Sequence, residues 1–123
     1  MLIDTSAWIE LLALGEGVNR VREVMLREES QTLVTTIAEV VDVASKRGMD
    51  PTDVLNAINK YSKIIFLDSE IAALAGKLNF ERKKLNSKWG MMDSFLLAAS
   101  LTYGGRILTK DRDFAGLENV EIL

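Results

Sequence analysis

The 123-residue chain contains no histidine and no cysteine. That removes thiolate and imidazole zinc sites, Ser-His-Asp triads and Cys-His dyads from consideration. It also leaves no disulfide framework, which fits a cytoplasmic protein. No apolar run approaches the ~18 residues that a membrane span needs. The N-terminus carries neither a basic stretch nor a cleavage site, so no signal peptide is expected. Proline occurs once, at Pro51, and no linker, repeat or low-complexity stretch divides the chain. Residues 1–123 therefore read as a single domain, long enough for one real core. The net charge of −3 argues against a protein that coats nucleic acid. It does not exclude local contact with phosphates, because a bound cation inverts the sign of an acidic pocket.

What remains for chemistry is carboxylates, hydroxyls, lysines and arginines. Four acids each fall just past a short apolar run: Asp4 after Met1-Leu2-Ile3, Glu39 after the run from Leu33, Asp93 after Gly90-Met91-Met92, and Asp111 after Arg106 to Lys110. Widely spaced carboxylates at strand ends are what a hard divalent cation such as Mg²⁺ or Mn²⁺ needs. This pattern points to a metal-dependent phosphodiesterase.

Short β-like runs alternate with longer helical ones, which predicts an α/β fold with a mostly parallel sheet. Strands are expected at Met1–Asp4, Thr32–Thr35, Ile64–Leu67, Arg106–Thr109 and Val120–Leu123. Helices are expected from Ser6, from Val18, over Ile37–Lys46, after Asp50-Pro51, after Asp68-Ser69 and over Asp93–Tyr103, the last ended by Gly104-Gly105. In such sheets ligands bind outside the carboxyl ends of the strands, where strand order reverses. If the first and fourth strands are neighbours, Asp4, Asp93 and Asp111 meet there.

Each acid also has a purely structural explanation. Asp4 and Asp93 suit helix N-caps, and Asp111 and Asp113 suit a turn. Thr36-Ile37-Ala38-Glu39 matches a capping box. Asp68 follows a strand and precedes a helix just as the four acids do, so position alone does not select the functional ones. Trp8 reads as core. Arg82-Lys83-Lys84 through Lys88-Trp89 reads either as a solvated helix end or as a strip that holds a nucleic-acid backbone, with Trp89 stacking on a base. Met91-Met92 suits core or an adaptable groove.

The local sequences around the four acids carry a resemblance. Asp4-Thr5-Ser6 after an apolar strand resembles the opening motif of PIN-domain ribonucleases, and Thr35-Thr36-Ile37-Ala38-Glu39-Val40 resembles their second. Asp93-Ser94-Phe95-Leu96-Leu97-Ala98-Ala99 is similar to their third motif, and Leu108-Thr109-Lys110-Asp111-Arg112-Asp113-Phe114 to their last. The final two are about eighteen residues apart, joined through Gly104-Gly105, and are the more specific pair. The similarity covers essentially the whole chain. Its size and lack of extra domains most resemble VapC-type toxins of toxin–antitoxin pairs.

The resemblance implies a three-layer α/β/α sandwich with a parallel five-stranded sheet in the order 3-2-1-4-5. It implies Mg²⁺- or Mn²⁺-dependent endonucleolytic cleavage of single-stranded RNA, with Asp4, Glu39, Asp93 and Asp111 as the acidic set. Asp113 joins Asp4, Asp93 and Asp111 among the metal-binding candidates. Thr5, Ser6 and Thr109 are supporting hydroxyls, and Lys83, Lys84 and Lys88 are substrate-binding candidates. It further implies a cognate antitoxin, often with an arginine reaching the carboxylates, and a homodimer. The second motif departs from the pattern in carrying Asp42 one turn after Glu39, close enough to share a metal or water-mediated role. The weighed alternatives are a PIN-type nuclease of RNA processing or decay, an acidic phosphotransfer pocket using Asp68 and Lys110, and a non-catalytic binding module. In the phosphotransfer reading, Thr5-Ser6 stands where a second acid would be required.

Overall fold

In the computed structural model, which describes all residues 1–123, side-chain alternation along two very short strands sets the layers. β1 is only Leu2–Ile3, yet both residues are buried. Successive strand side chains point to opposite faces. Leu2 accordingly packs with Trp89, Leu96, Leu97, Ile107 and Phe114 on one side. Ile3 packs with Trp8, Val40, Ile58 and Leu108 on the other. β4 (Ile107–Thr109) repeats the pattern in register, with Leu2 opposite Ile107 and Ile3 opposite Leu108. A sheet apolar on both faces must be covered on both.

Helices supply the cover. α1 (Thr5–Leu12), α2 (Val18–Arg27), α3 (Val34–Lys46) and α4 (Pro51–Tyr61) contribute Trp8, Val21, Val24, Val40, Val54 and Ile58 to one core. α5 (Ser69–Lys83) and α6 (Met91–Tyr103) cover the other face. β2 (Gln31–Leu33), β3 (Lys63–Ile65) and β5 (Val120–Ile122) complete a five-stranded parallel sheet in the order β3-β2-β1-β4-β5. The expected three-layer architecture and strand order are both present. No helix is long and apolar enough to cross a membrane.

Most helix starts follow the expected chemistry. Asp50 caps α4 by accepting from the amides of Thr52 and Asp53, with Pro51 in the first turn. Asp68 caps α5 by accepting from the Ile71 amide. Gly104 ends α6 with φ +74°, a left-handed conformation that glycine adopts without a Cβ penalty.

Three expectations need correction. The second strand ends at Leu33 rather than Thr35, because Val34 and Thr35 already belong to α3. Leu33 occupies the N-cap position without a side-chain bond, so the capping box expected at Thr36–Glu39 does not form and Glu39 sits in the second turn. The second correction is Trp89. It is completely buried, 4.9 Å from the Phe114 ring, with Arg82 stacked 4.5 Å over its own ring and its indole N–H donated to Ser94. It is a core residue, unavailable for stacking on a base. Thirdly, Met91 and Met92 are exposed rather than core. Trp8 is core as expected, and donates its indole N–H to Thr32.

Replacing Trp89 with alanine should lower unfolding free energy by about 3–5 kcal/mol, as emptying an aromatic core site does. Urea titration followed by circular dichroism measures it. A loss within experimental error would contradict the burial assigned to this residue.

Candidate functional site

The strand order reverses between β1 and β4, and the chain leaves both strands at the same edge. The Asp4 amide donates to the Leu108 carbonyl, which extends the ladder one step past Ile3. Asp4 therefore stands beside Thr109. Its Oδ2 accepts from the Thr109 hydroxyl at 2.7 Å and from Ser6 at 3.1 Å, and its Oδ1 accepts from the Thr5 amide at 2.7 Å. Ser6 also lies 3.2 Å from the Thr109 hydroxyl and accepts from the Lys110 amide. The Thr109 oxygen accepts from the Asp111 amide at 2.9 Å. One small hydroxyl network thus links the ends of β1 and β4, and the aspartate at its centre is 8% exposed.

The other acids reach this edge from helix starts. Glu39 projects from the second turn of α3 and accepts from the Thr5 hydroxyl at 3.1 Å. Asp93 is the third residue of α6 and accepts from the Gly90 amide at 3.0 Å, closing that helix's capping interaction. Asp111 precedes the 3₁₀ turn Arg112–Phe114 and accepts from the Asp113 amide at 2.8 Å. Capping and clustering coexist here, since Asp4, Asp93 and Asp111 do both.

Electrostatics mark the cluster. Burial pushes the Asp4 carboxyl above its ordinary range; bonds from Thr109, Thr5 and Ser6 pull it back, and the Asp111 charge adds to the rise. Burial also raises Glu39, against the Thr5 bond, with Asp4 and Asp93 adding repulsion. Asp93 is raised first by burial and then by Asp4, Asp111 and Asp113, against the Gly90 bond. Neutral donors orient these groups without cancelling their charge.

Asp4, Thr5, Ser6, Glu39, Asp93 and Asp111 line one cleft of about 330 Å³. Thr109 lies directly beneath, through Asp4. Asp113 does not line the cleft, although Asp93 feels its charge. Asp42 is turned away, in an exposed pair with Lys46 at 2.8 Å, so it has no part in the cluster. Lys83, Lys84 and Lys88 are exposed and none of them lines the cleft; Lys84 lies 4.1 Å over the Phe80 ring. Asp68 caps α5 behind the edge strand β3 and is likewise absent from the lining, which removes the phosphoacceptor from the phosphotransfer reading.

Two charged lining residues, Glu10 and Arg47, were missed as site candidates in the sequence, and Lys110 was weighed only for the phosphotransfer reading. Glu10 is a nearly buried carboxylate that accepts from Lys110 Nζ and from the Gly17 amide, which hold its carboxyl below the usual range. A Cβ on Gly15 would lie 2.3 Å from its Oε2, so a glycine there leaves room for the carboxylate. The paired glycines 15 and 17 after an acidic helix were the available signal.

The donor set fits a hard cation, since the cleft offers carboxylate and hydroxyl oxygens and no sulfur or imidazole. No three acidic side chains are close enough to grip one ion together.

A family model described as PIN domain matches residues 1–119. No curated protein matches the chain in sequence. Among solved structures, a toxin-antitoxin complex from Klebsiella pneumoniae is similar, with 22% identity, coverage of 98% of this chain and 94% of that one, and a TM-score of 0.77. The Mycobacterium tuberculosis VapC20, described as a sarcin-ricin loop cleaving toxin, has 16% identity, coverage of 98% and 97%, and a TM-score of 0.81. VapBC2 from Rickettsia felis, bound to a DNA fragment from its promoter, has 13% identity, coverage of 99% and 96%, and a TM-score of 0.75. At these identities the structural likeness concerns the fold.

Two stability measurements test the site's electrostatics and packing. An acid whose folded pKa is raised costs nothing below its unfolded value near 3.9. The cost grows as pH rises through the folded value and is complete above it. Asp93→Asn escapes this penalty while keeping an oxygen for the Gly90 amide. The variant should melt a few degrees above the parent at pH 7, with the gap closing near pH 3.5. An equal gap at both pH values would remove charge as its cause. Gly15→Ala displaces the far end of the flexible Glu10 side chain and so disturbs its bonds to Lys110 and the Gly17 amide; it should cost about 0.5–1.5 kcal/mol, on the order of one hydrogen bond, and much less in a Glu10→Ala background. Urea unfolding of the four proteins of that cycle provides the check.

Proposed function

Because this chain belongs to the PIN domain family, we propose that its acidic cleft is the active site of a Mg²⁺- or Mn²⁺-dependent endoribonuclease. It hydrolyses phosphodiester bonds of single-stranded RNA and serves as the toxin of a toxin–antitoxin pair. The observation that carries the reading is the convergence of Asp4, Glu39, Asp93 and Asp111 on one cleft at the sheet's switch point. A cluster of like charges is costly: two carboxylates ~5 Å apart repel by about 3 kcal/mol at an effective dielectric of ~20. Folding tolerates such an arrangement where a bound cation offsets it.

Asp4 and Asp93 would hold the ion directly or through water, with Asp111 near a second position and Asp113 acting through water from outside the lining. Such an ion, when bound, acidifies water and neutralises charge on the scissile phosphate. The residues of the chain do the rest. Thr109, Ser6 and the Thr5 amide fix the Asp4 oxygens, and Thr5 fixes Glu39. Glu39, raised above its ordinary range, would take a proton from the attacking water. Lys83, Lys84 and Lys88, outside the cleft, would meet only RNA that extends beyond it.

The toxin assignment draws on the similar structures, which include VapBC and FitAB assemblies. An exposed apolar groove of about 540 Å³ supports a protein partner such as an antitoxin; Leu11, Leu12, Met25, Leu26, Ala57 and Tyr61 line it. Exposed Leu101 and Tyr103 on α6 are compatible with the homodimer. The lack of cysteine suits a cytoplasmic setting.

The test is cleavage of an RNA panel by purified protein in Mg²⁺, Mn²⁺ or EDTA, beside Asp93→Asn. Cutting should require the metal and fall at least 100-fold in the variant, on the order expected when an essential group is lost. Cutting that survives EDTA, or equal activity in the variant, would overturn the assignment.

A further inference from the structure

Glu39 and Val43 on α3, and Arg47 at its C-cap, follow one another at four-residue spacing, which places them in one stripe, and all three line the acidic cleft. The stripe runs from the carboxylates at one end to a guanidinium at the other. At 1.5 Å per residue, Arg47 lies about 12 Å along the helix from Glu39. Asp42 and Lys46, one residue earlier in each case, pair on the exposed side.

The cleft lining holds only two cations, Lys110 and Arg47, against five carboxylates. Lys110 is engaged by Glu10. Arg47 takes part in no ion pair. It is near enough for its charge to lower the Glu10 carboxyl, yet the two form no ion pair; Glu10 pairs with Lys110 and accepts from the Gly17 amide. A guanidinium presents a rigid fork of donors matched to phosphate oxygens. An arginine that only complemented the α3 dipole could point anywhere into solvent; this one borders the cleft.

We propose that Arg47 is a substrate-binding residue that takes a non-scissile backbone phosphate of single-stranded RNA, one lying along α3 from the phosphate held over Asp4 and Asp93. The assignment rests on the nuclease reading for the identity of the scissile phosphate. With Lys110 paired to Glu10, Arg47 is the cation of the lining that stands outside any ion pair. The cleft then has a direction, with carboxylates at the bond to be cut and the guanidinium on the flanking chain.

The experiment separates binding from cutting. Asp93→Asn protein, with and without Arg47→Ala, is titrated with a fluorescent single-stranded RNA oligonucleotide in Mg²⁺ over a range of salt. Loss of Arg47 should weaken binding about tenfold and make the slope of log K against log salt shallower by about 0.7, the value for one phosphate contact on a single strand. Arg47→Lys should recover part of the affinity. In the otherwise native protein, Arg47→Ala should raise KM about tenfold with kcat little changed. A neutral methylphosphonate at one flanking position should weaken binding to Arg47-containing protein and leave the Arg47→Ala protein indifferent. Unchanged affinity and salt slope, or losses that simply add for every methylphosphonate position, would overturn the proposal. An Arg47-dependent salt slope in a protein that cuts no RNA would support the phosphate site and fail the nuclease reading instead.

Discussion

The pairing of β1 with β4 is the constraint on which the site depends. Two residues of β1 are enough, because both are buried and each faces a different core. A slip of one residue would exchange Leu2 and Ile3 between those cores and turn every neighbouring side chain to the wrong face. The register is therefore strongly specified by packing. Once it is set, the Asp4 amide meets the Leu108 carbonyl, and the Thr109 hydroxyl meets the Asp4 carboxylate from 105 positions away in sequence. Ser6 and the amides of Lys110 and Asp111 then complete the network. The apolar cores below position a polar arrangement that could not assemble by its own interactions.

Much of this was legible in the sequence because local chemistry and global topology agree. Alternating periodicities gave the layers, Asp50-Pro51 and Asp68 marked helix starts, and Gly104 marked a helix end. The four acidic motifs pointed to one sheet edge, and four acids do meet there. The failures have specific physical origins. Thr36 to Glu39 satisfies the capping-box pattern, but β-branched Val34 and Thr35 suit strand and helix alike, and α3 begins earlier than the pattern implies. Glu39 is consequently free of its own helix start and accepts from Thr5 instead. Trp89 follows a run of lysines and reads as surface, yet its ring is sealed between Phe114 and Arg82 by contacts distant in sequence. Glu10 and Arg47 look like ordinary polar positions on amphipathic helices. Only the approach of α1, α3 and the end of β4 makes them line the cleft.

Hydrogen bonding at the site orients charge without discharging it. Asp4, Asp93 and Asp111 each accept from a backbone amide, and Asp4 accepts from two hydroxyls besides. Charged acceptors make stronger bonds than neutral ones, so the carboxylates are held firmly. Burial and mutual repulsion still raise Asp4, Glu39 and Asp93. The contrast is Glu121, where burial acts in the same upward direction but Arg20, Arg27 and Arg106 surround the carboxylate and the net shift is downward. The same chain neutralises one buried-side carboxylate with three guanidinium groups and gives its central cluster none. An acid that serves only packing can take the first arrangement.

The distribution of cations within the cleft sharpens that contrast. Lys110 is adjacent to Asp111 in sequence, and a flexible ammonium there could have reached the cluster. Glu10 takes it instead, with Gly15 leaving the space for the carboxylate and the Gly17 amide anchoring it. Had Lys110 folded inward, it would have offset the negative charge of the carboxylate cluster. The Glu10 tether thus keeps the acidic end of the cleft acidic. Arg47, at the C-cap of α3, forms no ion pair with any carboxylate of the cleft. The two signs are thus separated along the cleft, with carboxylates at the strand ends and the guanidinium beyond the last turn of α3.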